Sequence, residues 1–411
     1  MYFFFQIDPI SFLSYIPGSD YVTQYYFQFT DWLVGFANSH LFHVRPVLVP
    51  VNGSGDTSYG WALFWLILLL ALSGTIIWSI ADRKRRSYTR LNYWLCLAVR
   101  YYVAFTAFGY GIIKIFALQM NFPLVHQLAT PLGDFLPMRL SWMFIGYSTP
   151  YQVFSGIMEV IAGLLLLYRR TATMGALFAA AVFINVMMLN LTYDIPVKIF
   201  SMQLVLCCLF LIASEGNRII YFFVLNRPAA VCSLYQYRLP KKWLRIARVI
   251  AKLAFVAVAI VMPFINSYQR YTEGNQPPKK QPVNNGVYEV AVFSVNGHPQ
   301  PLAIADTMRW HDVILQDGLG SIKTADTAFR QRYKRGYFVY ALDSATHTLG
   351  FKKTQADSTF IIKFKYDLPD SNSIRLWGLQ RSDSLYVELK RIPRRFQLAE
   401  RQFHWLTEYN R

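Results

Sequence analysis

Long apolar runs broken by short basic stretches fill the middle of this chain, and strict alternation of apolar and polar positions replaces them near its end. Apolar runs recur at 61–81, 92–118, 148–168, 173–191, 196–212 and 247–268. Each is close to the roughly 20 residues that cross a bilayer as a helix. Residues 1–60 precede them as an aromatic-rich segment with Arg45 as its only basic residue. Its stretch YVTQYYFQFTDWLVGFANSHLF carries apolar positions at helical spacing and is expected in or along the outer membrane interface. Pro46 and Pro50 then break the pattern before a turn at Asn52 to Ser58. The segment lacks the basic start and small-residue cleavage site of a signal peptide, so it is expected to be retained.

After the last run, residues 269–283 form a Pro- and Asn-rich linker. Residues 284–411 then read as one soluble domain. VYEVAVFSV, RWHDVILQ, YFVYALD, STFIIKFKY, SIRLWGLQ and SLYVELKR alternate as strands do, and Asn296–Gly297 is a hairpin turn signal. The tail from Arg394 to Arg411 has the pattern of a closing amphipathic helix. The predicted fold is a membrane all-α bundle of about six transmembrane helices, followed by an all-β antiparallel barrel or sandwich.

Composition agrees with this division and orients it. The chain is 54% hydrophobic, with 32 Phe and 27 Tyr, and carries a net charge of +18. In a soluble protein such charge points to nucleic acid, but here it sits beside the apolar runs. The loops after the first, third and fifth runs hold five, two and seven Lys or Arg, against three (Arg45, Arg139 and Lys198) in the opposite segments before the sixth run. The positive-inside rule then puts the N-terminal segment and the β domain outside the cytoplasm. The expected setting is a bacterial inner (cytoplasmic) membrane, with both termini periplasmic. The partners expected are the lipid bilayer and envelope proteins or a redox subunit, with no nucleic acid. Cys96, Cys207, Cys208 and Cys232 form no CxxC and imply no disulfide framework.

Candidate chemistry lies in the charges within the apolar runs. Arg100 and Lys114 are fourteen residues apart, so they fall on nearly one helix face, with Ala104, Ala107 and Gly111 between them. A cation at a helix centre costs about 2.5–3.5 kcal/mol on insertion scales, so each needs a partner. Glu159 lies near mid-membrane in GIMEVIAG, where Gly156 and Gly163 share its face and permit close approach. It is either protonated or paired with Arg100 or Lys114. A bundle-fixing salt bridge and a functional carboxylate both fit.

In NVMMLNLTYDIPVK, Asn190 sits near a span end, Asp194 is placed to cap the helix that starts at Pro196, and Lys198 opposes that helix's dipole. Either Asp194 and Lys198 form a local pair, or Lys198 joins Lys114 and Asn190 on a ligand at the outer mouth. Asp56 is a further candidate there. No histidine lies inside a predicted span, so haem held by paired intramembrane histidines is not expected. His40 and His43 lack a third ligand at metal spacing, and no P-loop, GxGxxG or GxSxG stands in a supporting context, so no metal and no intrinsic cofactor is expected.

The sequence Arg100, Tyr110–Gly111, Lys114, Glu159, Gly163 and Arg169–Arg170–Thr171 resembles the DoxX-like group of membrane proteins over residues 92–215. That resemblance implies a four-helix bundle and hints at quinone-linked redox work, without assigning catalytic residues. The N-terminal extension, the sixth span and the β domain depart from the group's short form. Two functions are therefore expected to compete. One is an outward-facing polar pocket, with ligand-binding residues Arg100, Lys114, Glu159, Asn190, Asp194 and Lys198, that holds a quinone or other small molecule. That would make the chain a quinone-linked oxidoreductase subunit. The other is a non-enzymatic anchor that presents the β domain to envelope partners. A Lys114 base, distantly like gamma-carboxylase membrane domains, and a transporter rank lower.

Overall fold

The structure is a computed structural model that describes residue 2 and residues 18–50, 55–85, 87–229, 241–276, 282–301, 309–401 and 403–406. The Asn52–Ser58 turn, the 269–283 linker, the basic connector and the closing helix fall partly outside these residues, and Cys232 wholly so. Two compact units emerge. One is Met1–Met120 with Leu140–Gly274, and the other is Asn121–Arg139 with Asn275–Arg411.

The first unit is helical. Its elements are α1 (Asp20–Ala37), α2 (Ser58–Ala81), α3 (Thr89–Ile115), α4 (Pro137–Tyr147, from Leu140 onward in this unit), α5 (Thr149–Leu167), α6 (Ala172–Thr192), α7 (Lys198–Ser214) and α8 (Lys242–Gly274, through a π turn at Ala257–Val261). Among the described residues α2, α3, α5, α6 and α8 are long and apolar enough to cross a membrane. Helix α7 and the following Gly216–Val224, bent by 75°, make a sixth if the pair is one span. The predicted runs and these helices agree to within a few residues at most ends.

Local chemistry sets the ends. Thr57 Oγ1 accepts the Gly60 N–H at 3.1 Å to start α2, and Ser148 Oγ accepts the Tyr151 N–H at 3.3 Å to start α5, where Pro150 occupies the first turn. Helix α4 was not expected from the pattern.

Small side chains govern the core. Val103, Ala104, Ala107 and Phe108 of α3 meet Ala162 and Leu166 of α5, Ala176, Ala179 and Phe183 of α6, and Leu204, Cys207 and Cys208 of α7. Lipid tails are as apolar as leucine, so close packing of small residues takes over much of the role that water plays in soluble cores. Helix α1 packs on α2 through Val34, Ala37, Ala62 and Leu66, and the Tyr59 hydroxyl donates to Asp31.

The second unit is a closed antiparallel barrel. Its strands are β1 (Gly286–Val295), β2 (His298–Pro299), β3 (Asp312–Gln316), β4 (Leu319–Ile322), β5 (Arg330–Arg332), β6 (Arg335–Asp343), β7 (Thr348–Lys352), β8 (Ile362–Asp370), β9 (Ser373–Gln380) and β10 (Asp383–Ile392). Eight strands run in the order β1-β3-β4-β6-β7-β8-β9-β10, and β10 pairs back on β1. Closure removes the exposed edges. Asn296 and Gly297 both have positive φ, at 52° and 80°, as the two-residue turn between β1 and β2 requires. Trp310, Phe293, Phe329, Phe338, Phe351 and Phe364 fill the interior, with the Phe338 and Phe351 rings 4.0 Å apart. The unheralded strands β4 and β7 are short and contain Gly320 and Gly350. At both, a Cβ would collide with a neighbouring ring, Phe338 and Phe360 respectively, which explains the glycines but hides the alternation. At the C-terminal end the described residues show one helical turn, Gln397–Glu400.

Residues 121–139 lie between two spans in sequence yet pack on this barrel. The Val125 N–H donates to Gln316 at 2.9 Å, Asp134 pairs with Lys334 at 2.6 Å, and Ala129 is buried against Val287 and Ile314. His126 stacks edge-on to Tyr337, at 5.2 Å between ring centroids. Burial, then the nearby guanidinium groups of Arg335, Arg139 and Arg332, push its pKa down to about 4. The neutral folded form and the protonated unfolded form of His126 then coexist between about pH 4 and the ordinary histidine value near 6.5, so stability falls as pH falls through that window. The barrel's melting temperature in the full chain should therefore drop between pH 7 and pH 5, and His126→Phe should flatten the dependence. An unchanged slope in the variant would remove His126 as its source.

Candidate functional site

Glycines decide where α3 and α5 meet. A Cβ added to Gly156 would lie 2.5 Å from the Gly111 carbonyl oxygen and 2.8 Å from the Ile115 backbone nitrogen, and one added to Gly111 would lie 2.8 Å from the Gly156 carbonyl oxygen. Backbone cannot yield by that much, so both positions require glycine. Gly163 lies against the Phe108 ring, 2.9 Å from where its own Cβ would stand.

This crossing sets Lys114 and Glu159, each three residues beyond one of the paired glycines, against each other, and Lys114 Nζ donates to Glu159 Oε1. The two side chains are 8% and 1% exposed. Of the two cations the sequence offered to Glu159, the structure selects Lys114. Glu159 Oε2 is buried and accepts no hydrogen bond among the described residues, and the same holds for Gln119 Oε1.

Lys114, Glu159 and Gln119 line one cavity of about 130 Å³. Its wall includes Tyr110 of α3, Trp142 of α4, Ser155 of α5, Asn185 and Asn190 of α6, and Phe200 and Ser201 of α7. Gln152, outside the lining, anchors Met120, which belongs to it. Its amide nitrogen donates to the Met120 carbonyl at 2.7 Å and its amide oxygen accepts the Met120 N–H at 2.9 Å, which fixes the chain just past α3. Sequence reasoning missed Gln152, although it lies seven residues before Glu159 and so on the same helix face.

The six candidates do not share one pocket. Asn190 lines the Lys114–Glu159 cavity, and its side-chain amide donates to the Val197 carbonyl at 3.4 Å. Lys198 and Asp194 stand apart at the start of α7, outside that lining. Lys198 Nζ pairs with Asp194 at 2.6 Å and lies 3.8 Å from Asp56. Asp194 is not the cap of α7. It sits in the left-handed region at φ 51°, and the cap is Asp56, whose two oxygens accept the Lys198 N–H at 2.7 Å and the Ile199 N–H at 3.1 Å. A carboxylate from before α2 thus offsets the dipole and the misplaced lysine together, a partnership across 142 residues that local sequence rules cannot find. Arg100 lies fourteen residues, or about 21 Å, from Lys114 along α3 and lines other cavities. Among the described residues no group of three or more His, Cys, Asp or Glu is placed to hold a metal ion.

A helical bundle of membrane-spanning length with a buried Lys–Glu pair beside a polar cavity, joined in one chain to an eight-stranded barrel, is the class these features define. No family model matches the chain, and no solved structure matches it. The uncharacterized protein YwoB of Bacillus subtilis (strain 168) is 31% identical to it over 124 residues, which make up 30% of this chain and 79% of that protein. The chain belongs to the family of YwoB, through a portion that is less than a third of its own length.

Removing one member of a buried ion pair leaves the other charge uncompensated and costs about 3–5 kcal/mol, whereas replacing both with apolar side chains is often neutral. Lys114→Met and Glu159→Leu should each lower the bundle's melting temperature in detergent, and the double variant should recover most of the loss. Additive losses would show that the two side chains act separately.

Proposed function

We propose that this chain is a multi-pass protein of a bacterial cytoplasmic membrane, with its N-terminal segment and barrel on the outer, periplasmic side. Its bundle binds a small ring compound bearing carbonyl or hydroxyl groups, with a quinone first among them, as part of a redox-linked membrane complex. The sidedness rests on fourteen Lys and Arg in the loops assigned inward against three on the other side before the last span. The DoxX-like resemblance supports the same reading, because its R…G..K and E…G residues fall on α3 and α5, in a core completed by α6 and α7.

One observation carries the binding reading: two buried acceptors, Glu159 Oε2 and Gln119 Oε1, have no donor among the described residues, and both residues line one cavity with Lys114. A buried polar atom left without a partner costs roughly 1–3 kcal/mol, so a ligand that supplies donors there is favoured. The hydroxyls of a quinol are such donors, and a quinone carbonyl accepts from the lysine, which has three N–H groups of which Glu159 takes one. A cavity of about 130 Å³ is of the size that holds a single ring, since an apolar cavity of about 150 Å³ takes up benzene. In this reading Glu159 exchanges the ligand's proton, and a partner subunit supplies or receives the electrons.

The competing reading is a non-enzymatic anchor presenting the barrel to envelope partners. It is favoured by the position of the Lys114–Glu159 pair directly beside the Gly111–Gly156 contact, where an ion pair would fix helix register. Lipid extraction and mass spectrometry of the purified full chain separate the two. The binding reading expects a quinone in the wild type that falls at least tenfold in Glu159→Gln, with the helical circular-dichroism signal unchanged. A wild type free of quinone, or a variant with equal content, would favour the anchor.

A further inference from the structure

At the opposite end of α3 from Lys114, two large cavities adjoin the same pair of arginines. One of about 580 Å³ is bounded by α3, the start of α6 and the bend after α7, and includes Arg100, Arg169, Glu215 and Arg218 in its lining. The other, of about 670 Å³, lies between α3, the end of α5 and α8, and includes Arg100, Arg169, Arg248 and Lys252. Among the described residues the two linings together hold five cations and one carboxylate, Glu215, which accepts from Arg218 at 2.7 Å. Arg100 buries its Nε without a hydrogen-bond partner among the described residues, and its guanidinium carbon lies 5.5 Å from the Tyr101 ring centroid.

Basic residues at the end of a span ordinarily serve only to orient it, and for that they need no cavity. These line cavities roomy enough for a headgroup, and the second also has an apolar wall. Along α8, Leu244, Arg248, Ala251, Lys252 and Phe255 recur at helical spacing on one face, so one strip offers both cations and hydrocarbon contact. Arg248 and Lys252 are exposed, whereas Arg100 and Arg169 are partly buried. Guanidinium groups pair with phosphate oxygens in a forked geometry that an ammonium lacks.

We propose that these cavities seat one anionic phospholipid, with its phosphate at Arg100 and Arg169, its acyl chain along Ala251 and Phe255, and Arg248 and Lys252 at the rim. Charge and apolar area occur together, which fits a lipid rather than a soluble anion. The assignment uses none of the residues of the Lys114–Glu159 cavity and stands whatever that cavity binds.

The test uses the delipidated full chain and native mass spectrometry, comparing phosphatidylglycerol with phosphatidylcholine of identical acyl chains. The wild type should retain phosphatidylglycerol in preference, and affinity should fall about fivefold for each cation removed in Arg248→Gln and Lys252→Gln. These exposed positions keep the test valid if Arg100→Gln fails to fold. A control pair, Arg83→Gln with Lys84→Gln, carries the same charge change outside both cavities and should leave the preference intact. Equal retention of the two lipids, an equal loss in the control pair, or displacement of the lipid by equimolar glycerol 3-phosphate would each overturn the proposal.

Discussion

In hydrocarbon an isolated ammonium or carboxylate is costly, so Lys114 in α3 and Glu159 in α5 can be tolerated only if the two helices meet at one depth and one rotation. The glycines make that meeting possible. With Gly111 and Gly156 in backbone contact, the helices stand close enough for a direct Lys–Glu bond, and sliding either helix by a turn would lose both the bond and the fit. Helices α6 and α7 then pack on a pair whose register is already fixed, using alanines and cysteines that ask for proximity but set no register of their own.

The same economy recurs where α7 begins. Lysine in a first turn is unfavourable, and Asp194 alone, largely exposed beside it, would offset little of that cost. Asp56 is the stronger partner because it is buried and accepts two backbone N–H groups while also facing the ammonium group. It also ties the segment before α2 to the core helices, which matters because α2 itself buries few of its residues. In the barrel unit the buried ions are handled differently. Arg335 pairs with Asp312 and also donates to the Ser321 hydroxyl at 3.1 Å, so neighbouring strands share its donors.

How much of this was legible follows from the range of each interaction. Spans declare themselves locally, because most residues in a run must be apolar, and the strands with clean alternation did likewise. Strands β4 and β7 did not, since a glycine in a four- or five-residue strand erases the period. The Lys114–Glu159 contact was legible as one of two options, because charge, depth and glycine spacing are all written in the sequence. The local Lys198–Asp194 pair was likewise one of two options, whereas the capping of α7 by Asp56 was not legible, since that residue is far away in the chain. Nor was the assignment of residues 121–139 to the barrel unit, because the segment's partners Gln316, Lys334 and Tyr337 lie some two hundred residues on.

The buried polar atoms of the bundle divide into those the packing satisfies and those it leaves at a cavity wall. Gln152 uses both ends of its amide, Ser201 donates to the Lys198 carbonyl at 2.9 Å, and Asn190 reaches the Val197 carbonyl, so the packing can satisfy polar groups where nothing else is required of them. Glu159 Oε2, Gln119 Oε1 and Arg100 Nε have no such partner among the described residues, and each belongs to a residue lining a cavity. Helices held in backbone contact by Gly111 and Gly156 cannot shift to relieve the first of these, so the acceptor is kept in place at the cavity wall. If the cavity holds the proposed ligand, binding needs little reorganisation, because the cost of holding its polar groups apart is already carried by the fold.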